Sequence, residues 1–219
     1  MPYCNNMKNN WNEITVGEFI QLEQLLKSDI PESYRTVNVV ALLDNKTIDE
    51  IESLPAAEFV KLARQLEFIQ SQPKANDVKK SYLINNRHYT LKADLTQITT
   101  AQYIDYQNYM KEETKDITKL LSVWLIPRGN EYNDGYDIQE VMKDIDGMLL
   151  EDAMGISFFF PKQLAAYMLI SKDYLSNNLT MLGMEKKQIE EVETLCNNMA
   201  SSLWCSASVN PQTLRLSMY

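Results

Sequence analysis

Residues 82–91, YLINNRHYTL, are the clearest landmark of the chain. Two runs of aromatic, β-branched and aliphatic residues flank Asn85-Asn86-Arg87, and asparagine accepts the positive φ of a tight turn better than most residues. The pattern predicts a β-hairpin. Because an isolated hairpin is only marginally stable in water, we expect its strands to rest on neighbouring helices or to pair with a partner. Ile84 and Leu91 are therefore candidate partner contacts.

Helical patterns precede the hairpin. Thr15-Val16-Gly17-Glu18 is a capping box, which predicts a helix over residues 16 to about 27. The further helix signals are, in order, the apolar spacing of residues 34–43, a second capping box at Thr47, and Pro55 ahead of a regular apolar stripe over residues 59–69. Residues 11–70 are thus predicted to form a four-helix N-terminal unit behind a polar arm, residues 1–10.

Residues 71–81 (SQPKANDVKKS) lack this periodicity and are typical of a linker, so we place a subdomain boundary there. Further helices are predicted to begin at Thr99 and at Asp137. Others are predicted over residues 117–125, ended by Pro127, over about 162–182 and over 184–203. Residues 128–136 are predicted to form an exposed loop or a second small hairpin. Residues 82–204 then form a hairpin plus helical C-terminal unit, followed by a non-periodic tail, residues 205–219. The predicted fold is mainly α, with helical bundle-like units and one small β-hairpin.

Composition narrows the classes of partner. Thirty acidic and 21 basic residues give a net charge of −9, which repels phosphate backbones, so nucleic acid is not expected as a partner. Three cysteines without CxxC spacing, and a polar start, indicate a reducing compartment and no secretory signal. Charged residues interrupt the apolar stretch 148–170, so no membrane span is expected.

Sequence motifs for catalysis are missing. The single histidine, His88, is predicted to lie in a hairpin strand, and no phosphate loop, nucleophile elbow or zinc motif occurs. Placing Gly147 at the sixth position of a calcium loop puts Met142 first and Ala153 twelfth, and neither can supply the required oxygen. We therefore expect no metal, no cofactor and no enzyme activity. The alternative is a small enzyme whose site assembles from distant Asp and Tyr residues.

Three consecutive phenylalanines, Phe158, Phe159 and Phe160, are a further candidate contact. On a helix they cover about 200° of its circumference, which is hard to bury against one side of a monomer. Burial in the core from several sides is one interpretation. The other is that one ring faces a partner, since interfaces are enriched in aromatic residues and methionine.

Three stretches carry a family resemblance: residues 11–26 (WNEITVGEFIQLEQLL), 42–69 (LLDNKTIDEIESLPAAEFVKLARQLEFI) and 82–110 (YLINNRHYTLKADLTQITTAQYIDYQNYM), followed by the three phenylalanines. In this order the chain resembles proteins encoded among the structural genes of tailed phages of gut Bacteroidetes, the crAss-like phages. The resemblance implies a non-enzymatic protein of the virion or its assembly.

Two roles follow from the resemblance. One is a cargo protein packaged in the portal and tail channel, and the other is a tail assembly chaperone that binds the tape-measure protein. The implied partners are other virion subunits, namely portal, tail or tape-measure proteins, and the implied location is the virion, with the host cytoplasm during assembly. Self-association into a homo-oligomer is a further use that the aromatic surface allows.

Overall fold

The structure, a computed structural model, describes residues 7–94, 97–111 and 116–159, and beyond them residues 186, 187, 189–191, 193, 194 and 197. It is mainly helical and contains one small antiparallel sheet of three strands. The predicted fold class is therefore confirmed.

The helices are α1 (Val16–Lys27), α2 (Glu32–Asp44), α3 (Ile48–Glu52), α4 (Ala56–Arg64), α5 (Thr100–Lys111), α6 (Ile117–Ser122) and α7 (Ile138–Ile145). The strands are β1 (Ser81–Ile84), β2 (Arg87–Leu91) and β3 (Leu125–Pro127), and short 3₁₀ helices span Trp11–Glu13 and Gln65–Gln70. Residues 150–159 are also helical.

The two capping boxes that the sequence predicts, at α1 and α3, are present. At α1 the Thr15 hydroxyl accepts from the Glu18 amide at 3.3 Å, and the Glu18 carboxylate accepts from the Thr15 amide at 2.9 Å. Thr47 and Glu50 form the same reciprocal pair at α3. Such caps satisfy amide groups that the first helical turn leaves unpaired, which is why these two helices begin at a threonine.

The sheet corrects one prediction. Residues 125–127, expected at the end of a helix, form β3, which pairs antiparallel with β2. The helix ends earlier, at Ser122, because Pro127 restricts the residue before it to an extended backbone and because Leu125 and Ile126 suit a buried strand. The hairpin therefore takes its third strand from its own chain.

Two clusters of buried side chains form the core. One surrounds the sheet and includes Tyr89, Trp124 and Ile145, and the other lies among α1 to α4. The helical segment 150–159 supplies both clusters: Leu150 and Met154 belong to the second, Ala153 and Ile156 to the first. The interior of the predicted N-terminal unit is thus completed by residues from far along the chain.

The predicted linker packs against that same helical segment. The Asn76 amide donates to the Glu151 carbonyl at 2.9 Å, and the Asn76 side chain donates to Asp152 at 2.9 Å. Gly155 leaves room for the Asn76 carbonyl, which a β-carbon at this position would meet. Residues 71–80 therefore lie on the body of the protein, and the subdomain boundary there stays a prediction.

The arm also packs where it is described. Met7 is buried, and the Lys8 amide donates to the Leu43 carbonyl at 3.1 Å. Several predictions fall outside the described residues. They are Phe160, the helix over 162–182, much of the helix over 184–203 and the tail 205–219. Within the described part of the chain, no helix is both long enough and apolar enough to cross a membrane.

Candidate functional site

The sheet has a covered face and an open edge. The strand order is β1-β2-β3, so β1 is paired on one side only. Along β1 the side chains alternate between exposed and buried, because successive residues of a strand point to opposite faces. Tyr82 and Ile84 point into the core, while Leu83 is 63% exposed.

This alternation corrects the predicted contacts in the hairpin. Ile84 and Leu91 are 3% and 6% exposed and belong to the core cluster around the sheet. A partner cannot reach either side chain while the chain is folded. Leu83, between two inward-facing residues, is the large apolar residue of the hairpin strands that a partner can touch. The strand period of two predicts this, given that Tyr82 and Ile84 are the buried pair.

The hairpin turn is anchored to α7. Asn85 and Asn86 both have positive φ, 48° and 62°, as the sequence predicts for this turn. Arg87 Nη1 lies 3.0 Å from Glu140 and 3.3 Å from Asp144, and the Tyr89 hydroxyl donates to Asp144 at 2.6 Å. Burial and the bond to Asp144 raise the pKa of Tyr89, and the bond to Glu140 raises the pKa of Arg87. These contacts hold β1 and β2 in one position on the body.

The outer edge of β1 carries unused backbone groups. The Leu91 amide donates to the Lys80 carbonyl, which makes residues 80 and 91 a hydrogen-bonded pair of the ladder. Hydrogen-bonded and non-bonded pairs alternate in an antiparallel ladder, so the N–H and C=O groups of Ser81 and Leu83 point away from β2. No group in the described part of the chain pairs with them. We call this row of groups the β1 edge.

A cavity of about 190 Å³ lies beside the β1 edge. Its other wall is formed by residues 147–149, where Leu149 is 42% exposed. That wall is held from behind, because Val16 N–H donates to the Met148 carbonyl at 2.9 Å and Leu150 N–H donates to the Ile14 carbonyl at 2.8 Å. Both walls are therefore fixed by contacts that leave the cavity open.

One ion pair borders the cavity. Lys79 Nζ lies 3.1 Å from the Asp152 carboxylate, and the Lys79 amide donates to the Tyr82 hydroxyl at 2.9 Å. Asp152 is 8% exposed, and burial, with a further contribution from Asp152, raises the pKa of Tyr82. The pair ties the start of β1 to the helical segment 150–159.

This arrangement suits the addition of a strand. An extended peptide gains main-chain hydrogen bonds from an open sheet edge, and side-chain pockets beside the edge provide selectivity. The β1 edge offers main-chain hydrogen bonds through the backbone groups of Ser81 and Leu83. Leu83 and Leu149 offer apolar contact on the two walls. The sequence contains no local signal for Leu149, whose position depends on the bridge between Thr15 and residue 149.

The phenylalanines divide between the two clusters. Phe158 is partly buried against the cluster among α1 to α4, and Phe159 is partly buried against the cluster around the sheet. Neighbouring residues of a helix point about 100° apart, so the segment 150–159 presents one ring to each cluster. Phe160 lies outside the described residues, and a partner contact at these positions stays a prediction.

Tyrosine and aspartate meet at two places, which bears on the alternative of a dispersed enzyme site. The Tyr89 hydroxyl donates to Asp144, and the Tyr132 hydroxyl donates to Asp105 at 2.7 Å. In both pairs burial, together with the carboxylate, raises the pKa of the phenol. Such a tyrosine stays protonated at neutral pH and donates a hydrogen bond to its carboxylate.

Other sequence candidates are scattered. His88 is exposed on β2, opposite Leu83 in the ladder. A search of the described residues finds no group of three or more His, Cys, Asp and Glu placed to hold a metal ion.

Comparison of the chain with protein-family models, with curated proteins and with solved structures finds no match.

Proposed function

We propose that this chain acts by binding other proteins and that the β1 edge is the place where an extended segment of a partner pairs. The observation that carries this proposal is the open β1 edge beside two exposed leucines, Leu83 and Leu149. Exposed edges with apolar residues are usually blunted by charge, by proline or by a covering loop, because they invite pairing with another chain. Here the outward side chains of β1 are Ser81 and Leu83, which supply neither a charge nor a proline ring.

The resemblance to crAss-like phage proteins supplies the setting. We propose a non-enzymatic protein of the tailed-phage virion, associated with the portal or tail and packaged as cargo, with other virion subunits as partners. The acidic balance of the chain, −9, supports contacts with proteins over contacts with the packaged genome.

Mass spectrometry of purified virions tests the setting. Abundant peptides of this chain in mature particles are expected for packaged cargo. Peptides found only in lysates of infected cells, together with the tape-measure protein after cross-linking, would favour the assembly chaperone instead. Peptides found in neither fraction would contradict both roles.

A paired substitution tests the contact. Leu83→Lys places a charge on the exposed side of β1, where it disturbs no core contact, and we expect about tenfold fewer copies in virions, the effect of roughly 1.4 kcal/mol of lost affinity. Ile104→Lys on α5 is the matched control, because Ile104 is 49% exposed and does not line the cavity beside the β1 edge. Normal incorporation of Leu83→Lys, with both variants folded, would contradict the role of the β1 edge.

A further inference from the structure

A second opening lies in the N-terminal half of the chain, among residues that precede β1. It is a cleft of about 480 Å³ between α2 and the stretch formed by α4 and the following 3₁₀ helix, with the end of α1 at one side. Binding clefts for ligands of drug size span roughly 300–1,000 Å³, so the volume is in the range of a binding site. We call this opening the α2–α4 cleft.

One face of α2 forms the first wall. Glu32, Arg35, Thr36 and Val39 line the cleft. Their spacing is i, i+3, i+4 and i+7, which places them on a single face over two helical turns, about 10 Å long.

The second wall is the end of α4 and the 3₁₀ helix that follows it. Ala63 lies in α4, and Leu66, Glu67, Ile69 and Gln70 lie in the 3₁₀ helix; all of them line the cleft. The cleft is therefore a trough between one face of α2 and this helical stretch. A trough of this shape matches the way an amphipathic helix lies in a groove, with anchors at i, i+3, i+4 and i+7 of its own apolar face.

Charge decides which kind of helix fits. Glu32 and Glu67 are exposed, one on each wall, and neither forms an ion pair with any part of the chain that the structure describes. Arg35 is directed to the loop between α1 and α2, where Nη2 donates to the carbonyls of Ser28 at 2.9 Å and Ile30 at 3.0 Å. The rim of the trough is thus acidic on both sides, above walls that include Val39 and Leu66.

We propose that the α2–α4 cleft binds an amphipathic helix of a partner protein, two to three turns long, whose apolar face is flanked by lysine or arginine. The apolar residues of that helix fill the trough, and its cations pair with Glu32 and Glu67. The proposal is independent of the β1 edge, since no residue is shared between the two sites.

Binding of a synthetic probe tests the proposal. The probe is a fluorescent 14-residue peptide of leucine and lysine in a helical amphipathic order, titrated with the full chain and followed by fluorescence anisotropy at low salt. Glu32→Gln combined with Glu67→Gln should weaken binding about fivefold, as expected for two exposed ion pairs. Glu52→Gln combined with Asp77→Asn removes the same charge from exposed positions outside the cleft and should change binding less than twofold.

A second set of variants fills the trough with a larger side chain. Ala63→Trp, and separately Thr36→Trp on the opposite wall, should reduce probe binding at least about tenfold while circular dichroism and urea unfolding remain those of the original chain. Either variant suffices if the other fails to fold.

Three results would overturn the proposal. One is equal weakening by both charge-removing pairs, which means that the probe follows net charge. Another is equal binding of a peptide of the same composition in scrambled order, or of its leucine–glutamate counterpart. The third is a chain that sediments as a dimer dissociated by Glu67→Gln, which would identify a second copy as the occupant.

Discussion

Replacing Tyr106 with phenylalanine removes one buried hydroxyl and leaves the ring in place. Tyr106 is 3% exposed on α5, and its ring packs edge-on against Trp124 with the centroids 5.3 Å apart. Its hydroxyl finds no hydrogen-bond partner within the described part of the chain. A buried polar group without a partner costs about 1–3 kcal/mol of folding free energy. Tyr106→Phe should therefore raise the free energy of unfolding by that amount, since the ring contact with Trp124 is kept.

The pH dependence of the free energy of unfolding provides a second test of the Tyr106 hydroxyl. Burial raises the pKa of Tyr106 to about 12, from an ordinary value near 10. A raised pKa means that the folded state favours the neutral phenol, so its contribution is fully present below pH about 10 and is lost as the pH rises through about 12. The loss amounts to roughly 3 kcal/mol over this window, with about half of it reached by pH 11. The Tyr106→Phe variant lacks this loss.

Urea unfolding at pH 7 and at pH 11 measures both effects. The advantage of Tyr106→Phe over the original chain should be larger at pH 11 by about 1.4 kcal/mol, because other tyrosines and the lysines titrate in both proteins alike. Tyr103→Phe is the control, since Tyr103 lies on the same helix, is 36% exposed, and should change stability by less than about 0.5 kcal/mol. An unchanged or reduced stability of Tyr106→Phe at pH 7 would refute the reasoning and would mean that the hydroxyl is hydrogen-bonded.

Two further substitutions test how the chain is held together. Gly155→Ala should destabilise the protein by about 1–2 kcal/mol, although alanine favours helices, because its β-carbon meets the Asn76 carbonyl. Urea unfolding measures the loss of stability, and hydrogen exchange of the Asn76 amide should become faster. An unchanged stability would mean that residues 71–80 can shift without cost. Asn86→Gly should stabilise the hairpin by about 0.5 kcal/mol, because Asn86 has φ 62° and glycine adopts this conformation without a steric penalty. Thermal unfolding measures the second change, and a lower melting temperature would contradict this account of the turn.

The local elements of this protein follow from short-range chemistry in the sequence. Thr15 with Glu18, and Thr47 with Glu50, begin helices because each pair satisfies amides within one turn, and no distant residue is needed. Asn85 and Asn86 turn the hairpin for an equally local reason, their tolerance of positive φ. The mainly α fold class and the position of the hairpin could therefore be predicted.

The candidate site, too, is predictable from the sequence only in part. That Leu83 faces outward follows from the strand period once Tyr82 and Ile84 are buried, but which of the two alternating sets is buried depends on where α7 lies. Because β3 pairs with β2, β1 remains an edge strand. The sequence signal for β3 is an apolar run before Pro127, and this run fits the end of a helix equally well.

Tertiary structure alone decided how the two halves of the chain meet. Leu150 and Met154 complete a cluster whose other members lie before residue 70, and Leu149 becomes a wall of the cavity at the β1 edge through hydrogen bonds to residues 14 and 16. Contacts between residues so far apart depend on the packing of whole elements and leave no periodic trace in either segment. By itself, the sequence determined the helices, their caps and the hairpin turn, because these depend on neighbours within about four residues. The open edge, its facing wall and the α2–α4 cleft exist only because packed elements separated by tens of residues come to lie side by side.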